Sequence, residues 1–182
     1  MMLGLKTNTV ALYPHSAEWD ENAAQTIALI RSILGGICVD AQHIGSTSVR
    51  WICAKPIIDI AVAVRGTGDI LPYTDALAAR GIIYRKEEHN GQLLFIMGDP
   101  TQDIKTHHIH AVRADSAAWR NYLMFRDYLN AHPDRARAYE AEKLRLQALY
   151  PDDRNAYTEG KAPIIARLLR EACGGGVPAG KE

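Results

Sequence analysis

The sequence predicts an α+β domain built on a mixed β-sheet, and three features carry that prediction. Ile57 to Val64 is an almost wholly apolar run, the composition of a central strand covered on both faces. Asn90-Gly91 stands between two strand-like runs and is the strongest short hairpin signal a sequence offers. From Asp115 onward the apolar residues change to helical spacing. The expected order is helix, strand, strand, helix, three strands and then helices, with a mixed sheet and flanking helices.

Taken in order, Val10 to Tyr13 is expected as a short edge strand ended by Pro14. Trp19, Ala23, Ile27, Ile30 and Leu34 recur at spacings of three and four, which predicts an amphipathic helix over 18–34. Ser16 is its expected N-cap, and Gly35-Gly36 stops it. A strand through Ile37 and Val39 leads to His43 and a Gly-Ser turn, and residues 47–53 read as a short helical turn. Pro56 opens the apolar strand, where it needs no ladder donor. Gly66 and Gly68 turn the chain into a helix at 69–80, closed by Gly81. Ile82 to Glu88 and Gln92 to Met97 form the hairpin, and Thr106 to Val112 adds another strand. Asp115 or Ser116 caps the next helix, which ends near Pro133. A second helix runs from Asp134 toward Pro151, and a third fills 158–172. In the third, Ile164, Ile165, Leu168, Leu169 and Ala172 form one apolar stripe.

The 182 residues fit one domain, expected over 10–172, and the Gly- and Pro-rich end at 173–182 is expected to be disordered. With 21 basic and 21 acidic residues the net charge is zero, which argues against an extended nucleic-acid or membrane-binding surface. Cys38, Cys53 and Cys173 are odd in number and widely spaced, so they read as free thiols in a reducing compartment. No signal peptide or bilayer-spanning run is visible, and the expected location is the cytoplasm.

Several stretches carry chemistry. His43-Ile44-Gly45-Ser46-Thr47-Ser48 offers backbone N–H groups and hydroxyls suited to phosphate. Lys55-Pro56-Ile57-Ile58-Asp59-Ile60 follows, and Asp59 is the one acid in the apolar strand. Burying a carboxylate is costly unless it is paired or meets a metal, so Asp59 points to a Mg²⁺ site shared with substrate phosphates. The plainer alternative is a structural pairing with Lys55. In His107-His108-Ile109-His110, strand alternation places His108 and His110 on one face and His107 on the other. That is a metal-pair geometry, or else two histidines hydrogen-bonded in a polar pocket. His43 is a candidate third ligand or a general base working near neutral pH. Tyr139-x-x-x-Lys143 and Tyr157-x-x-x-Lys161 repeat one helical spacing downstream of Arg126, so three cations are candidates to meet an anionic ligand. Solvated helix charge is the plainer reading of these three.

As an ordered series these stretches resemble the GrpB family, assigned to the nucleotidyltransferase superfamily. The resemblance is carried by Tyr13-Pro14 with Trp19, His43 to Thr47, Ala54 to Ile60 and His108-Ile109-His110. It continues through Phe125 to Leu129 with Pro133, Tyr139 with Lys143, and Tyr157 with Gly160-Lys161. It implies a nucleotidyltransferase-like mixed sheet with flanking helices and a C-terminal helical segment. It also implies a Gly-Ser turn on nucleotide phosphates, matched by Gly45 and Ser46, and a first metal acid, matched by Asp59. Two departures stand out. Ala61 occupies the place of the superfamily's second metal acid, a loss that the GrpB family tends to share. Val49-Arg50-Trp51-Ile52 stands where the family usually reads Val-Pro-Gly-Leu, so Arg50 and Trp51 are expected beside the pocket, either as a cation and a stacking surface for a base or as residues that simply fill its mouth. Family domains also occur fused behind dephospho-CoA kinase. Nothing here resembles that kinase, so a free-standing form is expected.

The expectation for function is transfer of a nucleotidyl group from an NTP to a small-molecule acceptor, with Mg²⁺ or Mn²⁺ on Asp59. Gly45, Ser46 and Thr47 would hold phosphate, and Lys55 with Arg126, Lys143 or Lys161 would offset its charge. His108 or His110 would replace the missing acid as metal ligand or act as base. The alternatives are a non-catalytic protein that binds a nucleotide or another phosphorylated ligand, and a metal hydrolase using His43, His108 and His110.

Overall fold

The computed structural model describes residues 3–89 and 91–174, with the side chains of 87–89 left aside. Asn90 of the expected hairpin turn and residues 175–182 of the expected disordered tail lie outside the described residues. A short strand, β1 (Leu5–Lys6), precedes the long helix α1 (Ala17–Leu34). Strands β2 (Asp40–Ile44) and β3 (Ile58–Val64) follow, then the short helix α2 (Thr74–Ala78). The hairpin strands β4 (Ile83–His89) and β5 (Gln92–Asp99) lead into β6 (Ile104–Arg113). Four helices follow among the described residues: α3 (Ala117–Ala131), α4 (Pro133–Leu149), α5 (Arg154–Gly160) and α6 (Ala162–Ala172).

The sheet order is β2-β3-β6-β5-β4, and β1 pairs with the start of β6. Among the described strands only β3 and β6 run parallel, so the sheet is mixed, and the crossover between them carries α2 and the β4–β5 hairpin. The apolar run is central as expected, lying between β2 and β6.

Alternation divides the sheet into two faces. Ile58, Ile60, Val62 and Val64 of β3 share one core with Ile109 of β6 and Phe95 of β5. Ala23, Ile30 and Leu34 of α1 cover that core. Asp59, Ala61, His108 and His110 belong to the opposite face, where α3 packs against β2, β3 and β6. A second cluster there joins Val49 and Ile52 to Leu129, Tyr139, Ile164 and Leu168 of α3, α4 and α6.

Several elements differ from expectation for local reasons. Val10 to Tyr13 is not a strand, and Tyr13 makes an isolated bridge to Ala54. The edge pairing falls instead to Leu5 and Lys6, which meet Lys105 and Ile104. The helix expected at 69–80 begins as a 3-10 segment, Thr67–Tyr73, with Pro72 inside it, where an α-helix would set the proline ring against the Gly68 carbonyl. The helix expected at 158–172 is two helices that meet at Lys161. Pro163 sits in the first turn of α6, where its missing N–H is tolerated. A Cβ on Gly160 would lie 2.6 Å from Leu146 Cδ2, so glycine permits α5 to close on α4. Among the described residues no helix is long and apolar enough to cross a membrane.

Candidate functional site

Parallel pairing of β3 with β6 sets Asp59 beside His108 and Ala61 beside His110. His108 Nδ1 lies 3.2 Å from Asp59 Oδ1, and His110 Nε2 lies 4.0 Å from the same oxygen. The Arg154 guanidinium approaches His108 Nε2 at 2.9 Å. Arginine has only donors, so Nε2 accepts, and the His108 proton resides on Nδ1, where it donates to Asp59. Burial pushes His108 below its ordinary value, and Arg154 adds to that, although Asp59 opposes it. Burial alone would raise the Asp59 carboxyl, but the two imidazoles outweigh it and hold the group well below the usual carboxylate range.

The Gly-Ser turn closes over this carboxylate. Gly45 has φ +69°, and a Cβ there would come within 2.5 Å of Asp59 Oδ2. Glycine is required twice over, by conformation and by space. The next residue, Ser46, turns its hydroxyl toward Tyr139 Oη at 3.4 Å.

In front of Asp59 lies a cavity of about 200 Å³ whose walls include Ser46, Lys55, Arg154, Thr158 and Lys161. The Lys55 and Lys161 ammonium groups lie over the Tyr157 ring, at 5.1 Å and 4.7 Å from its centroid. Burial, reinforced by Lys161 and Arg154, pulls the Lys55 ammonium down to about 7. Burial also lowers Lys161, with Asp59 opposing and Arg154 adding to the shift. Three cations thus converge where Asp59 is the one acid among the described residues of the lining.

A second lobe of about 370 Å³ adjoins the first and shares Ser46, Asp59, His110, Thr158 and Lys161 with it. Its remaining walls are Ile44, Gly45, Asn121, Tyr122, Phe125, Tyr139, Ile165 and Leu169. Phe125 and Tyr139 meet edge to face with centroids 5.3 Å apart. The Tyr122 hydroxyl donates to Gln92 Oε1 at 2.7 Å.

Of the residues singled out from sequence, Gly45, Ser46, Lys55, Asp59, His108, His110 and Lys161 line this two-lobed cavity. Four do not. His43 pairs with Ile60 in the sheet register and therefore faces α1, where its ring nitrogens meet Asp20 Oδ1 at 3.4 Å and Thr47 Oγ1 at 2.9 Å. The expected convergence of His43 with Asp59 and the two β6 histidines is corrected accordingly. Thr47 is buried beside His43, away from the cavity. Arg126 ties β2 to α3 by donating to Gln42 Oε1 and to the His43 carbonyl. Lys143 is buried, with its ammonium donating to the Cys53 carbonyl and lying 4.8 Å from the Tyr139 centroid. Arg50 and Trp51 are exposed and line neither lobe, whereas their neighbours Val49 and Ile52 are buried under α3, α4 and α6.

Sequence reasoning missed Arg154 and Thr158. A signal existed, since residues 154, 158 and 161 follow a spacing of four and then three, which places them on one helical face. His107 was correctly separated from its neighbours. It faces α1, meets Thr26 Oγ1 at 3.2 Å, and burial lowers it to about 4.

These donors suit a divalent cation poorly. Among the described residues Asp59 is the only carboxylate in the cavity lining, and its Oδ1 already accepts from His108. Both His108 ring nitrogens are occupied, and Ala61 supplies no ligand atom. A Mg²⁺ ion there would lie among three cationic side chains. Among the described residues no group of three His, Cys, Asp or Glu side chains is arranged to hold a metal.

The fold and site define an α+β domain with a cationic cavity set beneath a Gly-Ser turn. Residues 9–171 match the family model described as GrpB protein, and the chain belongs to that family. It is 32% identical over 173 residues to the Glutamate-rich protein GrpB of Alkalihalophilus pseudofirmus, covering 93% of this chain and 99% of that one. A UPF0157 protein of Pseudomonas aeruginosa is 35% identical, covering 90% of this chain and 67% of its own length. Among solved structures, GrpB from Enterococcus faecalis superposes with a TM-score of 0.82 at 29% identity, covering 91% of this chain and 98% of that one. A weaker similarity, with a TM-score of 0.48 at 14% identity, extends to the Cid1 poly(U) polymerase bound to Mg 3'-dATP, covering 82% of this chain and 49% of that one.

Proposed function

We propose that the cavity binds a phosphorylated small molecule without a metal ion, and that the chain is a binding protein. One observation carries this reading: Lys55, Arg154 and Lys161 converge with a single carboxylate, Asp59, to balance them. With all four groups ionised the lobe has two positive charges in excess. A phosphate monoester carries about −1.5 to −2 charge and three acceptor oxygens, whereas a carboxylate would leave part of the excess uncompensated. Ser46 and Thr158 supply hydroxyl donors beside the cations. Asp59 then acts as an internal counter-charge that allows buried cations to persist before the ligand arrives.

Calorimetry with pyrophosphate and simple phosphate monoesters, with and without EDTA, tests this. Binding is expected to survive EDTA and to weaken by roughly 10- to 100-fold in Lys161→Gln, the cost of one charge-assisted hydrogen bond. Absence of binding, or binding that requires Mg²⁺ or Mn²⁺, would overturn the reading. Metal-dependent release of pyrophosphate from an NTP in the presence of an acceptor would favour nucleotidyl transfer instead.

A further inference from the structure

We infer that the phosphorylated ligand carries an apolar body, aryl or alkyl, rather than a nucleobase. The inference rests on the phosphate reading and extends it to the second lobe. The two lobes share Ser46, Asp59, His110, Thr158 and Lys161, so a phosphate held by the cations has its ester oxygen directed along a continuous cavity. What it meets beyond Lys161 is mostly apolar, formed by Ile44, Phe125, Ile165, Leu169 and the rings of Tyr122 and Tyr139.

Beyond the residues shared with the first lobe, the two tyrosine hydroxyls are already engaged. The Tyr122 hydroxyl gives its proton to Gln92, and the Tyr139 hydroxyl is paired with Ser46. Among the described residues Asn121 is the one side-chain amide in the wall. A nucleobase carries donors and acceptors around its whole edge, and each one desolvated without a partner costs affinity. An aryl or alkyl group brings no such demand and gains from leaving water. Size agrees as well. A cavity of about 150 Å³ admits benzene, so the lobe, at about 370 Å³, has room for two fused rings or a chain of several methylenes.

The test is calorimetry on the unmodified protein with inorganic phosphate, methyl, butyl and hexyl phosphate, 1-naphthyl phosphate and AMP. Affinity is expected to rise along the alkyl series by up to about fourfold per methylene, the gain for complete burial. Naphthyl phosphate is expected to bind at least about tenfold more tightly than AMP, and Leu169→Gln to flatten the alkyl series. If inorganic phosphate binds but the series is flat, the apolar-body inference falls and the phosphate reading stands. If AMP binds more tightly than naphthyl phosphate, the inference also falls, in favour of a nucleotide ligand. If no phosphate compound binds, both readings fall together.

Discussion

Arg154 donates to His108 Nε2 at 2.9 Å, and this one contact sets the proton on the opposite ring nitrogen, facing Asp59. A chain of arginine, neutral imidazole and carboxylate follows, joining α5 to β6 and β3. It holds one member of the cationic lobe in place before any ligand binds, and it commits both His108 nitrogens to neighbours within the protein.

Removing the arginine therefore has a specific consequence. In Arg154→Gln the Coulombic opposition to His108 protonation is lost, so His108 is expected to take up its proton at a higher pH than in the parent chain. Imidazole ¹⁵N spectra followed against pH report this directly. The parent chain should show the Nδ1–H tautomer at neutral pH, and an Nε2–H tautomer would contradict the assignment.

Asp59 separates two views of the cavity. If it held a catalytic cation, Asp59→Asn would abolish metal-dependent binding and turnover. In a cationic phosphate site the same substitution removes a competing negative charge, so phosphate affinity is expected to hold or increase. The stability cost is expected to be about 3–5 kcal/mol, because the buried cations lose their counter-charge and His108 loses a charged acceptor. Titration calorimetry and urea denaturation of the one variant measure both effects.

Lys55 makes binding depend on pH. Its folded value of about 7 lies below the ordinary lysine range, so the unfolded chain holds the proton more tightly than the folded one. Stability of the ligand-free protein is therefore expected to rise with pH from about 7 toward 10, and Lys55→Met should remove that contribution. A bound phosphate favours the protonated amine, so binding near pH 8 should take up a proton. Calorimetry in buffers of different ionisation enthalpy detects that uptake. Affinity should peak between about pH 6 and 7, since phosphate itself loses charge below about 6.

Gly45→Ala tests the turn. The alanine would have to adopt φ +69° with its Cβ against Asp59 Oδ2. A loss of at least about 2 kcal/mol is expected, seen as a melting temperature lower by roughly 4–8 °C. Phosphate affinity should weaken with it, because Ser46 moves with the turn.

Much of this architecture was legible because local chemistry expressed it. An uninterrupted apolar run can be satisfied only by burial on both faces, which made β3 central and Asp59 conspicuous within it. The change to helical spacing after Asp115 marked α3 and α4. The two-residue β1 carries no pattern of its own, and its pairing with Ile104 and Lys105 is purely a tertiary event.

The residues by themselves determined an α+β domain with a mixed sheet, a Gly-Ser turn near a buried acid, and two histidines on one face of a later strand. Which groups meet was decided in three dimensions. Ile44, not His43, lies opposite Asp59, and a slip of one residue in that register would have brought His43 to the cavity face. Lys143 and Lys161 share one Tyr-x-x-x-Lys spacing, yet the first is sealed against the Cys53 carbonyl while the second stands at a helix junction and faces the cavity. Spacing sets the face of a helix, but the direction in which that face points depends on packing, and packing turned Arg154 and Lys161 toward Asp59.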